Sequence, residues 1–215
     1  MSPPDFSKLF EDGRVVESAD FGRVTLKVHA AGELVLTTGR VAAFDPATSP
    51  ETEAFAEALP PGRYPVVLSV AHFEDGDQRV AGAMLKVGEG AATKWEMALL
   101  PGQDVSELGE GEVFGYAVDS ATGCFADEEA AARYLDAIEA DEEFFDRVGD
   151  LLDETYVDTW SWASVEFDPA TGLNMIVFST GMGDGLYASY LGRDDSGAVM
   201  SLVTDFALFE HEELA

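Results

Sequence analysis

From Arg23 the apolar positions recur with a period of two: Val24, Leu26 and Val28 alternate with Thr25 and Lys27, the pattern of a strand with one buried face. Ala31-Gly32 then reads as a turn into Leu34-Val35-Leu36, and Thr38-Gly39 as a second turn into Val41. Asp45-Pro46 opens another turn. Beyond it, Thr48 or Ser49, then Pro50 and Glu51 through Ala58, predict a short capped helix stopped by Pro60-Pro61-Gly62. Tyr64 to Phe73, Val80 to Val87 and Trp95 to Leu100 follow as three strands of a meander, joined by Glu74-Asp75-Gly76-Asp77 and Gly88-Glu89-Gly90. Trp95, Met97 and Leu99 share one face of the third, and Lys94 and Glu96 the other. After an acidic loop, Val113 to Val118 is a further strand ending at Asp119.

Beyond Cys124 the period changes to that of a helix. Ala131, Tyr134, Leu135 and Ile138 form one stripe behind Asp127, which is placed to cap free amides, with Glu128 and Glu129 in the first turn. A second helix starts near Asp141 with Phe144, Phe145, Val148, Leu151 and Leu152 as its apolar stripe. Glu142, Glu143, Asp146, Asp150, Asp153 and Glu154 are left for solvent. Strands resume at Tyr156 to Phe167, Leu173 to Thr180, Leu186 to Leu191 and Ala198 to Phe206, and residues 174 to 178 are apolar on both faces, as in a central strand covered on each side. The class is α+β: mainly antiparallel β-sheet with an inserted acidic two-helix segment at about 127–155. No linker divides residues 1–215, so one domain is expected, β-rich over 20–118, helical over 127–155 and β-rich again over 156–207. Asp119-Ser-Ala-Thr-Gly and Asp168-Pro-Ala-Thr-Gly read as one turn chemistry used twice.

A formal charge of −30 excludes a non-specific grip on nucleic acid or on an anionic membrane. That charge is uneven: residues 95 to 215 carry 28 acidic and 3 basic side chains, and 13 of those acids fall between Asp127 and Asp158. No window supplies the ~18 apolar residues of a membrane helix, and the first residues lack the pattern of a secretion signal, so a cytoplasmic protein is expected. A single Cys and three scattered His leave no zinc spacing and no intrachain disulfide.

Gly115-Tyr-Ala-Val-Asp-Ser-Ala-Thr-Gly-Cys-Phe-Ala-Asp127, Phe178-Ser-Thr-Gly-Met-Gly-Asp-Gly-Leu-Tyr187 and Leu202-Val-Thr-Asp-Phe206 stand in that order, preceded by Gly62-Arg-Tyr-Pro-Val-Val and Trp95-Glu-Met-Ala98. On these blocks the chain resembles a bacterial family catalogued only as domain of unknown function 4241, over about residues 15 to 207. The resemblance implies a domain type and a bacterial setting, and assigns no residue a role.

Chemistry must come from the residues. Asp119 and Asp127 flank a loop that ends at a helix N-terminus, where they offer oxygen to a hard cation, or else shape a turn and cap a helix. Cys124, in the same loop, is a reactive thiol only if that terminus outweighs the acidic surroundings, and otherwise a small buried hydrophobe. Gly181, Gly183, Gly185 and Tyr187 form either a ligand-binding wall carrying Asp184 or a hairpin turn with bulge glycines. Asp205 shares a strand face with Val203. Convergence of Asp119, Asp184 and Asp205 would make a divalent-metal site, and with Asp127 a metal-assisted hydrolase; no other cofactor is indicated. Trp160 and Trp162 are either core or a recognition surface. The leading expectation is a non-enzymatic interaction module whose acidic helical face binds a basic protein, in the manner of an immunity protein or antitoxin. The third reading treats the charge as an aid to solubility alone.

Overall fold

The computed structural model describes residues 3–48, 52–141 and 143–214. Fourteen strands are seen among them: β1 (Val15–Ser18), β2 (Gly22–Leu36), β3 (Arg40–Phe44), β4 (Ala54–Ala58), β5 (Gly62–His72), β6 (Gln78–Lys86), β7 (Lys94–Met97), β8 (Tyr116–Val118), β9 (Thr122–Asp127), β10 (Trp162–Asp168), β11 (Leu173–Ser179), β12 (Gly185–Tyr187), β13 (Ser189–Arg193) and β14 (Val199–Asp205). Between β9 and β10 lie α1 (Glu128–Ala140) and α2 (Phe144–Glu154). Seven strands form one sheet in the order β1-β2-β5-β6-β14-β13-β7, five form a second in the order β10-β11-β9-β3-β4, and β12 pairs with β8 in a small ribbon. The α+β class and the acidic helical insertion are as the sequence indicates.

The two sheets face each other across a shared core. Leu34, Leu68 and Leu85 of the larger sheet meet Phe125, Ile176 and Phe178 of the smaller. Each sheet is also covered on its other face. The helices lie over the five-stranded sheet, with Tyr134 and Val148 packed among Phe44, Met175 and Val177. The N-terminal 3-10 turn and the C-terminal tail cover the seven-stranded sheet, where Phe6, Leu9, Phe209 and Leu214 bury Leu26, Met84 and Val203. Burial on both faces is why residues 174 to 178 carry no polar side chain except Asn174. The Asn174 amide is itself satisfied: its oxygen accepts from the Val35 amide at 2.9 Å, and its nitrogen donates to the Glu33 carbonyl at 2.9 Å, tying β11 to the long strand β2.

Several expectations are corrected. Ala31-Gly32 is not a turn: β2 runs on to Leu36 through a bulge between Ala30 and Gly32, with Gly32 at φ 124°, so one strand contacts both sheets. The helix expected up to Ala58 is replaced by β4, whose Ala54 and Phe55 are buried and whose Ala56 amide donates to the Leu99 carbonyl; Ser49, Pro50 and Glu51 lie outside the described residues. Tertiary pairing with β3 overrides the local helix signal. The meander is also broken, because β14 and β13 insert between β6 and β7. Leu186 to Leu191 is two strands in different sheets, β12 and β13. Asp127 caps α1 through its bond from the Glu129 amide, and the second helix starts at Phe144, three residues beyond Asp141. Glu142 lies outside the described residues. Trp160 and Trp162 stack with centroids 5.2 Å apart, His29 meets Trp160 edge-on at 5.0 Å and Trp162 at a tilt at 3.9 Å, and Trp160 belongs to the core between the sheets.

Candidate functional site

At the end of β3 the chain turns at Asp45, a carboxylate with no solvent-accessible surface. One of its oxygens, Oδ1, accepts from the Ala47 amide at 2.7 Å, the Thr48 amide at 3.3 Å and the Ser120 hydroxyl at 2.6 Å. The other, Oδ2, accepts from the Thr48 hydroxyl at 2.7 Å and from the amides of Asp119 and Ser120 at 2.8 and 3.0 Å. Burial alone would raise the pKa of this carboxyl, but the Ser120 hydroxyl, the Asp119 amide and the other donors stabilise the anion and hold it below the ordinary Asp value. Asp45 therefore staples the β8–β9 turn to the end of β3. It was visible in the sequence only as a turn residue, because its partners at 119 and 120 lie more than 70 residues away.

That staple positions the ribbon, in which Tyr116 faces Tyr187 and Ala117 faces Leu186. Gly115 lets the strands close, since a Cβ there would lie 2.5 Å from the Tyr187 carbonyl oxygen. On the opposite side, the Ala98 amide donates to the Ser189 carbonyl and the Ala56 amide to the Leu99 carbonyl, joining the edges of the two sheets. Between these elements lies a cleft of about 530 Å³. Phe55, Leu100, Phe114, Tyr116 and Leu186 supply apolar walls, while Thr52, Glu53 and Gln103 bring polar groups. Glu53 is the one charged side chain lining it among the described residues. Burial pushes the hydroxyls of Tyr116 and Tyr187 above the ordinary tyrosine range, so both stay protonated and neither is a base near neutrality.

The acids singled out from the sequence have other employment. Asp127, fully buried, accepts from the Thr37 and Thr38 hydroxyls and from the amides of Thr38 and Glu129, all at 2.9 to 3.0 Å. Its oxygens are thus committed to capping α1 and pinning the β2–β3 turn. Asp119 is exposed, and what it contributes to the Asp45 network is its amide. Asp184 is exposed at the tip of the glycine turn. Asp205, 8% exposed, accepts from the Ala207 amide at 3.0 Å and lies 3.8 Å from His211. Among the described residues no group of three His, Cys, Asp or Glu side chains is arranged to hold a metal ion, so Asp119, Asp184 and Asp205 are not assembled as ligands.

The glycine run is explained by backbone need. Gly181 and Gly183 have φ of 39° and 117°, and the Thr180 and Tyr187 hydroxyls both donate to the Gly183 carbonyl. A Cβ at Gly185 would lie 2.9 Å from the Tyr187 ring. Of the four residues expected to form a ligand wall, only Tyr187 lines the cleft. Cys124 is not in a loop: it sits in β9 with no exposed surface, donates to the Phe44 carbonyl at 3.3 Å, and has its thiol pKa pushed up by burial. Nor do the two Asp-x-Ala-Thr-Gly segments share one turn. Asp168 accepts from Ala170 and Thr171 and Gly172 takes φ 76°, whereas in the first segment Asp45 is the acceptor and Ala121 takes the positive φ.

The same blocks that build the ribbon and the Asp45 turn fall within a match to the family model described as protein of unknown function, DUF4241, over residues 34–204. The chain belongs to this family. The matched span takes in the cleft, the five-stranded sheet, the helical pair and most of the seven-stranded sheet, while β1, the first part of β2 and the C-terminal tail lie outside it. No curated protein and no solved structure matches the chain. The DUF4241 match therefore carries a domain type and no chemistry.

The cleft residues Phe55, Leu100, Gln103 and Phe114 were not visible as a set in the sequence. They come from separate segments that only the joining of the two sheet edges brings together. On the helical side, α2 buries Val148 and leaves Phe145 and Leu151 exposed at the two edges of its stripe, and Tyr156 and Val157, just after the helix, are exposed as well. Asp146, Asp150, Asp153 and Glu154 are exposed along the opposite side of the helix. No helix among the described residues is long and apolar enough to cross a membrane.

Proposed function

We propose that this protein is a non-enzymatic cytoplasmic interaction module that binds a basic protein through α2 and the turn after it, as an immunity protein or antitoxin covers a nuclease. One observation carries the reading: Phe145 and Leu151 remain exposed on a helix already anchored by Val148, as do Tyr156 and Val157 just after it, in a segment rich in carboxylates. Folding gains nothing from apolar side chains left in water, whereas a complex gains from covering them. The carboxylates around them would accelerate encounter with a cationic partner and set its orientation, an effect that weakens as salt screens it.

The test is affinity capture from the native host on immobilised protein, with retained proteins identified by mass spectrometry. A basic protein should be retained at low ionic strength and released as NaCl is raised. It should be lost on a variant carrying Asp146→Asn, Asp150→Asn, Asp153→Asn and Glu154→Gln, and weakened by Phe145→Ala. Equal retention by the wild type and the neutralised variant, or a retained set without basic proteins, would sink the reading.

A further inference from the structure

The cleft between the β8–β12 ribbon and the joined sheet edges is independent of the helical surface and has its own chemistry. Its volume of about 530 Å³ is in the range of small-molecule sites. Two phenyl rings and a tyrosine ring, from Phe55, Phe114 and Tyr116, stand with Leu100 and Leu186 around it. The ribbon wall is held by backbone pairing, by the Asp45 staple behind it and by the Tyr187 hydroxyl bond to Gly183. It is therefore a preformed wall that a ligand need not order. Among the described residues the single lining charge is the Glu53 carboxylate, which is exposed, and none of the lining residues is cationic. Another hollow differs in sign, with Arg63 and Lys86 against Glu89.

From this combination we infer that the cleft binds a small organic cation, an ammonium group on an aromatic or apolar body, with the body against the ring-lined wall and the ammonium at Glu53. Aromatic faces and a carboxylate favour the same sign of charge, and an anion would meet Glu53 with no compensating cation. A neutral body alone would forgo the contact at the rim.

The probe is 2-phenylethylamine, compared with 2-phenylethanol, which replaces the ammonium by a hydroxyl. Binding is followed by amide chemical shifts of the labelled full chain at 0.15 M NaCl. For a ligand of this size a Kd of about 1–10 mM is expected. Shifts should saturate and concentrate at Gly115 to Ala117 and at Leu186. The alcohol should bind about two- to fivefold more weakly, as for one exposed ion pair. Glu53→Gln should remove the difference between the two probes. Ala117→Trp, at an exposed strand position facing the cleft, should abolish saturation, and Thr52→Arg should oppose the amine if the Trp variant does not fold. Amine preference surviving Glu53→Gln would assign it to the overall negative field and overturn the inference. Saturation elsewhere on the surface, or none at all, would do the same.

Discussion

Replacing Asp45 by Asn separates the staple from every other part of the cleft with a change of one atom. In the native protein two carboxylate oxygens accept from four backbone amides and two hydroxyls. Asparagine keeps one oxygen. Its NH₂ must then face either the Ala47 and Thr48 amides or the Asp119 and Ser120 amides. The hydroxyls can rotate to donate elsewhere, but the backbone amides cannot. Two orphaned donors at about 1–3 kcal/mol each, discounted because the turns are only partly buried, give a loss of about 2–4 kcal/mol. In a chain of this length that corresponds to a fall in Tm of roughly 5–15 °C, measurable by calorimetry, with urea titration giving the free energy directly. The dependence on pH supplies a second test. Because the folded carboxyl titrates below the unfolded one, its contribution is complete above the unfolded value of 3.8 and is lost as pH falls through the lower folded value. The stability gap between wild type and Asp45→Asn should therefore be flat from neutrality to about pH 5 and shrink in acid. A gap under about 1 kcal/mol, or one that does not narrow in acid, would refute the claim that the anion holds these turns together.

Three further outcomes can be checked. Cys124 should resist a thiol reagent in the native protein at pH 8 and react fully in denaturant, since its sulfur is buried; rapid native labelling would contradict its placement in β9. Gly39→Ala should lower stability by at least about 2 kcal/mol, because φ is +80° and the new methyl would lie 2.0 Å from the Leu59 carbonyl oxygen; urea titration reads the loss, and a neutral effect would mean the contact between the β2–β3 turn and the segment after β4 adjusts freely. In an NMR titration His211 should have its midpoint above 6.5, owing to the Asp205 carboxylate 3.8 Å away and the neighbouring carboxylates, and His29 below 6.5, owing to burial. The His211 contact then contributes stability below pH 6.5 that is lost as pH rises through its folded value, and His211→Gln should flatten that slope.

The alternation in Val24, Leu26 and Val28, the two-faced apolar run at 174 to 178 and the stripe led by Tyr134 were enough to name strands, a covered central strand and a helix, because each reflects burial demanded within a few residues of itself. The cap at Asp127 was legible for the same reason: its amide partner at Glu129 is two residues away. What failed were features set by distant partners. The segment before Pro60 became a strand because β3 lay open beside it, and Ala31-Gly32 became a bulge because the partner strand β5 continues alongside. Asp119, Asp184 and Asp205 looked like a set because they are acids near glycines, yet their roles depend on which amides and side chains the sheets bring to them. Asp45 shows the limit most plainly. Local residue chemistry alone requires a turn there, and composition alone places a charge of −30 mostly in the second half of the chain. That this carboxylate holds two turns at once, and that the joined sheet edges leave a cleft with Glu53 as its one charge among the described residues, follows from the packing of the sheets. Hydrogen bonds and cavities form between surfaces, and which surfaces meet is settled by the burial of whole sheets against one another.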